Sequence, residues 1–401
     1  MTLVFDNRAN LQGQPGLHVL IAGVSAYQNL PKQNEPLTPE SFGMRQLSST
    51  TLTAYKIYRW LLDHQQNFPV PLATCRLLLS PSPDEVAAEP DLNGLAEPCK
   101  LNNFLVAAND WRNDAGSHQE NMTFFYFAGH GVQRTKDDSV LLLEDFDGRI
   151  GGLLRNAVDT NNIFKGMAKS NTYPNMAQTQ LYFIDACRDF LPAFKNFEPE
   201  STTPVFRVQL SGEDKRTAPI FYAAAPGTKA IGIKGEQTLF SRAFIDCLNG
   251  DAGELKEVNG QERWYVSVHS LNAALETKID DWNKTLGAEQ DFILGGLVSN
   301  TPIHFLDHPP LVKIVLEVVP PDALNCARIK VLDDQGVPIP EPVPFPVPPN
   351  LHPYSCKWTA GFYTISAEID QFCPDQRFVN FPGRARPVMP PLFTKKVKVT
   401  P

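Results

Sequence analysis

The sequence predicts an α/β fold, a mainly parallel sheet flanked by helices, followed by a small all-β sandwich domain. Three observations carry this. Apolar runs of strand length alternate with amphipathic helical stretches through the first two-thirds of the chain. Proline becomes abundant after residue 308. Beyond that point the segments alternate polar and apolar residues.

Residues 17–24 are almost wholly apolar and end in glycine and valine, the form of a strand buried on both faces. Residues 52–65 put Ala54, Tyr58, Leu61 and Leu62 on one helical face. Residues 75–79 read as a second strand, and Leu101, Phe104, Leu105, Ala108 and Trp111 mark the next helix. Residues 123–128 are a third strand, and residues 140–143 a short strand or hairpin arm. Asn161 or Asn162 caps a helix carrying Ile163, Phe164, Met167 and Ala168. Residues 181–184 and 220–223 are the fourth and fifth buried strands. Helical stripes follow at Phe240, Ala243, Phe244, Cys247 and Leu248, then at Val268, Leu271, Leu275 and Trp282. Such alternation gives a parallel sheet whose carboxyl edge collects reactive groups.

The chain of 401 residues divides on this reading into residues 1–308 and 309–401. The second part holds 18 of the 35 prolines. Residues 313–318, 327–331, 363–367 and 396–399 alternate as half-buried strands do, and Asp333-Asp334-Gln335-Gly336 is a turn. Between Pro338 and Pro346 proline takes every second position, which no central strand tolerates; this is a stiff connector or a docking peptide.

A formal charge of −8 argues against a nucleic-acid partner or an anionic membrane held by bulk electrostatics. No apolar run is long enough for a membrane span. The first residues show no secretory pattern, and seven scattered cysteines without a CxxC pair suit reduced thiols and no structural metal. The expected location is cytoplasmic.

Two strand ends carry chemistry. Tyr126-Phe127-Ala128-Gly129-His130-Gly131 delivers an imidazole, and Phe183-Ile184-Asp185-Ala186-Cys187-Arg188 a thiol, each after a run of bulky apolar residues. A thiol attacks a carbonyl as thiolate, and a neighbouring imidazole takes the proton and returns it to the leaving amine. The backbone N–H of Gly131 is a candidate for the oxyanion. Either residue alone is more often a packed thiol or a turn histidine; the two at strand ends, in this order and spacing, point to a dyad.

Phe127-Ala128-Gly129-His130-Gly131 resembles the histidine motif of caspase-like peptidases, and Asp185-Ala186-Cys187-Arg188 their cysteine motif. Asp185, two residues before the cysteine, points to the metacaspase, orthocaspase and paracaspase branches of this clan CD family. Residues 223–230 and Leu239-Phe240-Ser241 also resemble the bacterial branch. The likeness spans about residues 15–305. It implies a cysteine endopeptidase acting on protein or peptide substrates through His130 and Cys187, in stress, immunity or cell death. It implies Asp185 as the substrate-binding acid for Arg or Lys; the alternative is a structural acceptor for the active-site loop. Relatives that cut after basic residues have a second acid near the first helix, which residues 47–51 lack. Glu144, Asp145 and Asp147 could line the pocket rim or bind calcium, but a solvated loop is preferred, so no cofactor is expected. Arg188 and Asp189 form a local salt bridge or face solvent. The linker, residues 191–219, contains Lys195 and the candidate self-cleavage sites Arg207, Lys215 and Arg216, and is otherwise a long surface loop. A competing reading is a caspase-like scaffold with little turnover, assembling a protein partner through its C-terminal domain.

Overall fold

The structure, a computed structural model, describes residues 1–133, 139–148, 154–190, 202–209, 214–228, 230, 235–258, 260–287, 289–316, 327–339, 354–369 and 392–399. The chain divides into two units, one of Met1–Cys247 with Ser267–Phe305, the other of Leu248–Val266 with Leu306–Pro401. The first begins with β1 (Leu3–Asp6), α1 (Arg8–Leu11), β2 (Leu17–Val24), α2 (Thr50–Asp63), β3 (Leu72–Ser80), α3 (Pro83–Ala88) and α4 (Leu101–Ala115). Then come β4 (Met122–Gly129), β5 (Gly131–Gln133), β6 (Val140–Asp147), β7 (Arg155–Asp159), α5 (Thr160–Gly166), β8 (Thr179–Ala186), β9 (Asp189–Phe190), β10 (Ala218–Tyr222) and α6 (Leu239–Asp246). The hairpin strands β11 (Glu254–Val258) and β12 (Gln261–Ser267) precede α7 (Val268–Leu286), β13 (Ile293–Leu297) and β14 (Pro302–Phe305).

Seven strands form the main sheet in the order β1-β3-β2-β4-β8-β10-β13. The inner five are parallel, as their apolar runs predict, and β1 and β13 close the edges antiparallel. Alternate side chains of the inner strands bury two faces. Phe124, Phe183 and Phe221 stack on one face, where Phe244 of α6 lies 4.5 Å from Phe183, ring to ring. Phe125 and Tyr182 point the other way, onto Trp111 of α4. The Trp111 indole also donates to the His18 carbonyl at 2.9 Å. On the first face α2 crosses so closely that a Cβ on Gly23 would lie 2.5 Å from that of Ala54, which is why a glycine stands there.

Chain order reverses between β2 and β4, which stay paired to Gly23 and Ala128, so the connections leaving their carboxyl ends turn to opposite sides, the position where such sheets bind ligands. A second sheet, β7-β6-β5-β9, continues from that edge. One strand runs longer than its sequence suggests: β6 extends through Asp147, paired with β7, so the acidic group lies on a strand rather than a solvated loop.

In the second unit, β15 (Leu311–Leu316) pairs with β17 (Tyr354–Thr359), and β18 (Gly361–Ile369) with both β16 (Ala327–Leu332) and β19 (Leu392–Val399), all antiparallel. Val331, Trp358 and Tyr363 are buried, and the Tyr363 hydroxyl donates to the Thr359 carbonyl at 2.6 Å. The Asp333 carboxylate accepts from the amides of Gln335 and Val337, making the expected turn. Residues 340–346 of the proline run lie outside the described residues. This unit also takes in Leu248–Val266, a hairpin inside the span 1–308 that no change of composition marks. Among the described residues no helix is long and apolar enough to cross a membrane.

Candidate active site

β4 and β8 are adjacent and parallel, with Gly129 opposite Ala186, and β5 and β9 resume with Val132 opposite Asp189. The register offset is 57 residues at both pairs, the same 57 that separates His130 from Cys187. His130 and Cys187 therefore hold matching register positions where the strands leave the sheet. Gly131 sits in the same place for a steric reason: a Cβ there would be 2.6 Å from the Cys187 carbonyl oxygen. Leu142 N donates to the His130 carbonyl, and strand alternation turns the Gly131 N–H the other way, toward the strand of Cys187.

Two groups that sequence reasoning missed fix His130. Its Nε2 lies 2.7 Å from the backbone carbonyl of Arg45. A carbonyl only accepts, so the proton is on Nε2 and Nδ1 carries the lone pair. Its backbone N–H donates to the Tyr27 hydroxyl at 2.7 Å, and the two rings are 5.0 Å apart. Burial lowers the His130 pKa to about 4, partly offset by the Arg45 carbonyl, so the ring is neutral near pH 7. The half-buried Cys187 thiol points at the Ala230 carbonyl, 3.9 Å away. Removing the buried hydroxyl in Tyr27→Phe leaves the His130 amide without that acceptor. The expected cost is about 1–2 kcal/mol, read as a lower urea midpoint at unchanged slope.

Asp185 is buried at 1% exposure. Tyr126 and the Thr238 hydroxyl both donate to its Oδ2, while Oδ1 has no donor among the described residues. Burial pushes its pKa up to about 6 against the pull of those two hydrogen bonds. Thr238 also caps α6, and its amide donates to Thr53 of α2, so Asp185 is tied to the first helix after all. The acid missing from residues 47–51 has a counterpart from elsewhere. Glu85 of α3, buried at 1% exposure, accepts from the Leu52 amide and from Ser25 and Ser82. Both its oxygens are engaged, so it caps α2 and offers no free oxygen to a ligand.

The remaining predicted residues separate. Glu144 accepts from Gln28 and Ser80, and Asp145 from the Leu101 amide at the start of α4. The solvated-loop expectation is thus corrected: these acids brace the fold. No group of three or more His, Cys, Asp or Glu placed to hold a metal ion occurs among the described residues. Arg188 does not face solvent. It is buried, donates to Gln133 at 2.9 Å and lies 4.2 Å over the Tyr222 ring. Arg207 and Lys215 are exposed, whereas Arg216 is buried by Asp214, Gln180 and the Phe164 carbonyl. Of the three self-cleavage candidates, Arg216 is thus the one whose side chain is already bound. Residues 191–201, with Lys195, and 210–213 lie outside the described residues.

The family model of the caspase domain, peptidase C14, matches residues 82–267, a stretch that includes His130, Asp185 and Cys187. Over that stretch the chain is similar to a caspase domain. No curated protein matches the chain. The caspase domain accounts for the parallel sheet with helices on both faces, and its family is one of cysteine peptidases. Tyr27 and Arg45 lie outside the matched stretch, yet both contact the histidine. Tyr27 gives no sequence signal beyond a lone aromatic after β2, and the Arg45 contact is made by backbone, to which side-chain motifs are blind.

Proposed function

We propose that this protein is an endopeptidase that cuts after Arg or Lys, with Cys187 as nucleophile and His130 as general base and acid. The observation that supports the reading is the shared offset of 57 residues, which gives His130 and Cys187 matching register, with Nε2 bonded to the Arg45 carbonyl so that Nδ1 is the nitrogen with a lone pair. Nδ1 takes the thiol proton as sulfur attacks the scissile carbonyl carbon, and the Gly131 N–H stabilises the oxyanion. The C–N bond breaks, the proton passes to the leaving amine, and a thioester remains. Water activated by His130 then hydrolyses it and regenerates the thiol.

Support for basic specificity comes from Asp185, whose Oδ1 is a buried acceptor without a donor among the described residues. Arg satisfies such an oxygen better than Lys, because its planar fork can pair with a carboxylate bidentately. Arg207 and Lys215 are then the exposed candidates for self-processing. Metacaspase and orthocaspase likeness in the Asp-Ala-Cys-Arg motif supports a role in bacterial stress, immunity or cell death.

Fluorogenic peptides ending in Arg, Lys or Asp, assayed with and without calcium, test the reading. The expected order is Arg, then Lys, with Asp uncut, and no turnover by Cys187→Ala. Equal rates for wild type and Cys187→Ala would sink it.

A further inference from the structure

The linker segment around Phe206 is docked, and two independent latches hold it on one helix. Thr203 adds to the free edge of β7 as a parallel bridge to Val158, its amide donating to the Ala157 carbonyl at 3.1 Å. Asn162 of α5 then reads the backbone: its Oδ1 accepts from the amides of Val205 and Phe206, and its Nδ2 donates to the Phe206 carbonyl. The Phe206 ring enters a slot and is 4% exposed. Any side chain at Gly166 would strike the ring, since a Cβ there would be 2.4 Å from it. The Arg112 guanidinium covers the ring at 4.7 Å and stacks at 4.4 Å on Tyr173. The second latch is Arg216, whose guanidinium lies 4.8 Å over Phe164 of the same helix and donates to the Phe164 carbonyl.

We infer that the β7 edge and α5 form a peptide-docking site whose occupant is the chain's own segment Thr203–Phe206, and that docking withholds Arg207 and Lys215 from proteolysis. A protease binds several residues on each side of the cut in extended form. Arg207 is exposed, but the residue before it is Phe206, buried in the slot. Lys215 is exposed, but the residue after it is Arg216, clamped by Asp214, Gln180 and Phe164. Neither site can enter a protease cleft until a latch opens, so cleavage follows the opening equilibrium. Docking stands on geometry alone; its bearing on self-processing rests on the function proposed above.

Limited digestion with trypsin, on a Cys187→Ala background, separates the two. The expected result is slow cutting after Arg207, accelerated about tenfold or more by Phe206→Ala or by Gly166→Val. Hydrogen exchange on the Cys187→Ala protein alone asks the same question without a packing change: the amides of Val205 and Phe206 should be protected. Cutting after Arg207 at the same rate in all three proteins, or exchange of both amides as fast as exposed ones, overturns the docking site. In the active protein Phe206→Ala should speed self-cleavage after Arg207. If that arm alone fails while trypsin and exchange behave as expected, the proteolytic reading fails and the docking site stands.

Discussion

His130→Ala is expected to lower kcat/KM for an arginyl peptide by about a thousandfold at pH 7, the middle of the range for loss of a general base. The argument turns on charge. Burial holds the His130 pKa down to about 4, so in the proposed dyad the imidazole rests neutral. The proton moves only as the sulfur attacks, and the imidazole is ready to take it at any pH well above 4. Without it the thiolate must form unaided, and an ordinary thiol ionises near about 8.5. The variant's residual rate should therefore climb with pH through that region, while wild type is already level. A pH–rate profile of both proteins checks this. A wild-type profile with its acid limb near 6.5 that survives Asp185→Asn would show instead that His130 titrates as an exposed histidine and that the Arg45 contact is not maintained in solution.

The parts legible in the sequence are those where physics is local. Five strands had to be apolar because both faces are covered, and their runs say so. The edges β1 and β13 are short, and β13 carries two glycines, so nothing in them resembles a buried strand. His130 and Cys187 stood out as a candidate pair because each follows such a run; their common register did not, because an offset of 57 residues is a property of pairing. The misreadings share one cause. Glu144 and Asp145 look like loop residues by type, yet Gln28 and Ser80 claim the first and the start of α4 the second. Arg216 looks like a self-cleavage site in a surface linker, yet Phe164, Gln180 and Asp214 enclose it. Polar residues announce chemistry by type, but apart from Asp214 beside Arg216 these partners arrive from 36 to 116 residues away and leave no local trace.

Asp185→Asn should separate binding from chemistry. The carboxylate is the group proposed to meet the substrate guanidinium, and truncating one side of a buried charge pair typically costs about 2–5 kcal/mol. That corresponds to about a thirtyfold to several-thousandfold loss in kcat/KM for arginyl peptides, with the Arg-over-Asp preference abolished. The acid limb should move with it. In the free wild-type enzyme the Asp185 pKa, raised by burial to about 6, is the higher of the two relevant values. Below about 6 the carboxyl is neutral and cannot pair with a cation, so wild-type kcat/KM for arginyl peptides falls as pH drops through 6. In Asp185→Asn that limb should vanish, leaving only the fall near 4 from protonation of His130. The asparagine keeps a carbonyl oxygen for Tyr126 and Thr238, so the loop need not collapse. Its circular dichroism should match wild type. If Asp185→Asn keeps the Arg preference and the limb at 6, the carboxylate is a brace for Thr238 and α2 alone, and the basic pocket must be built from other residues.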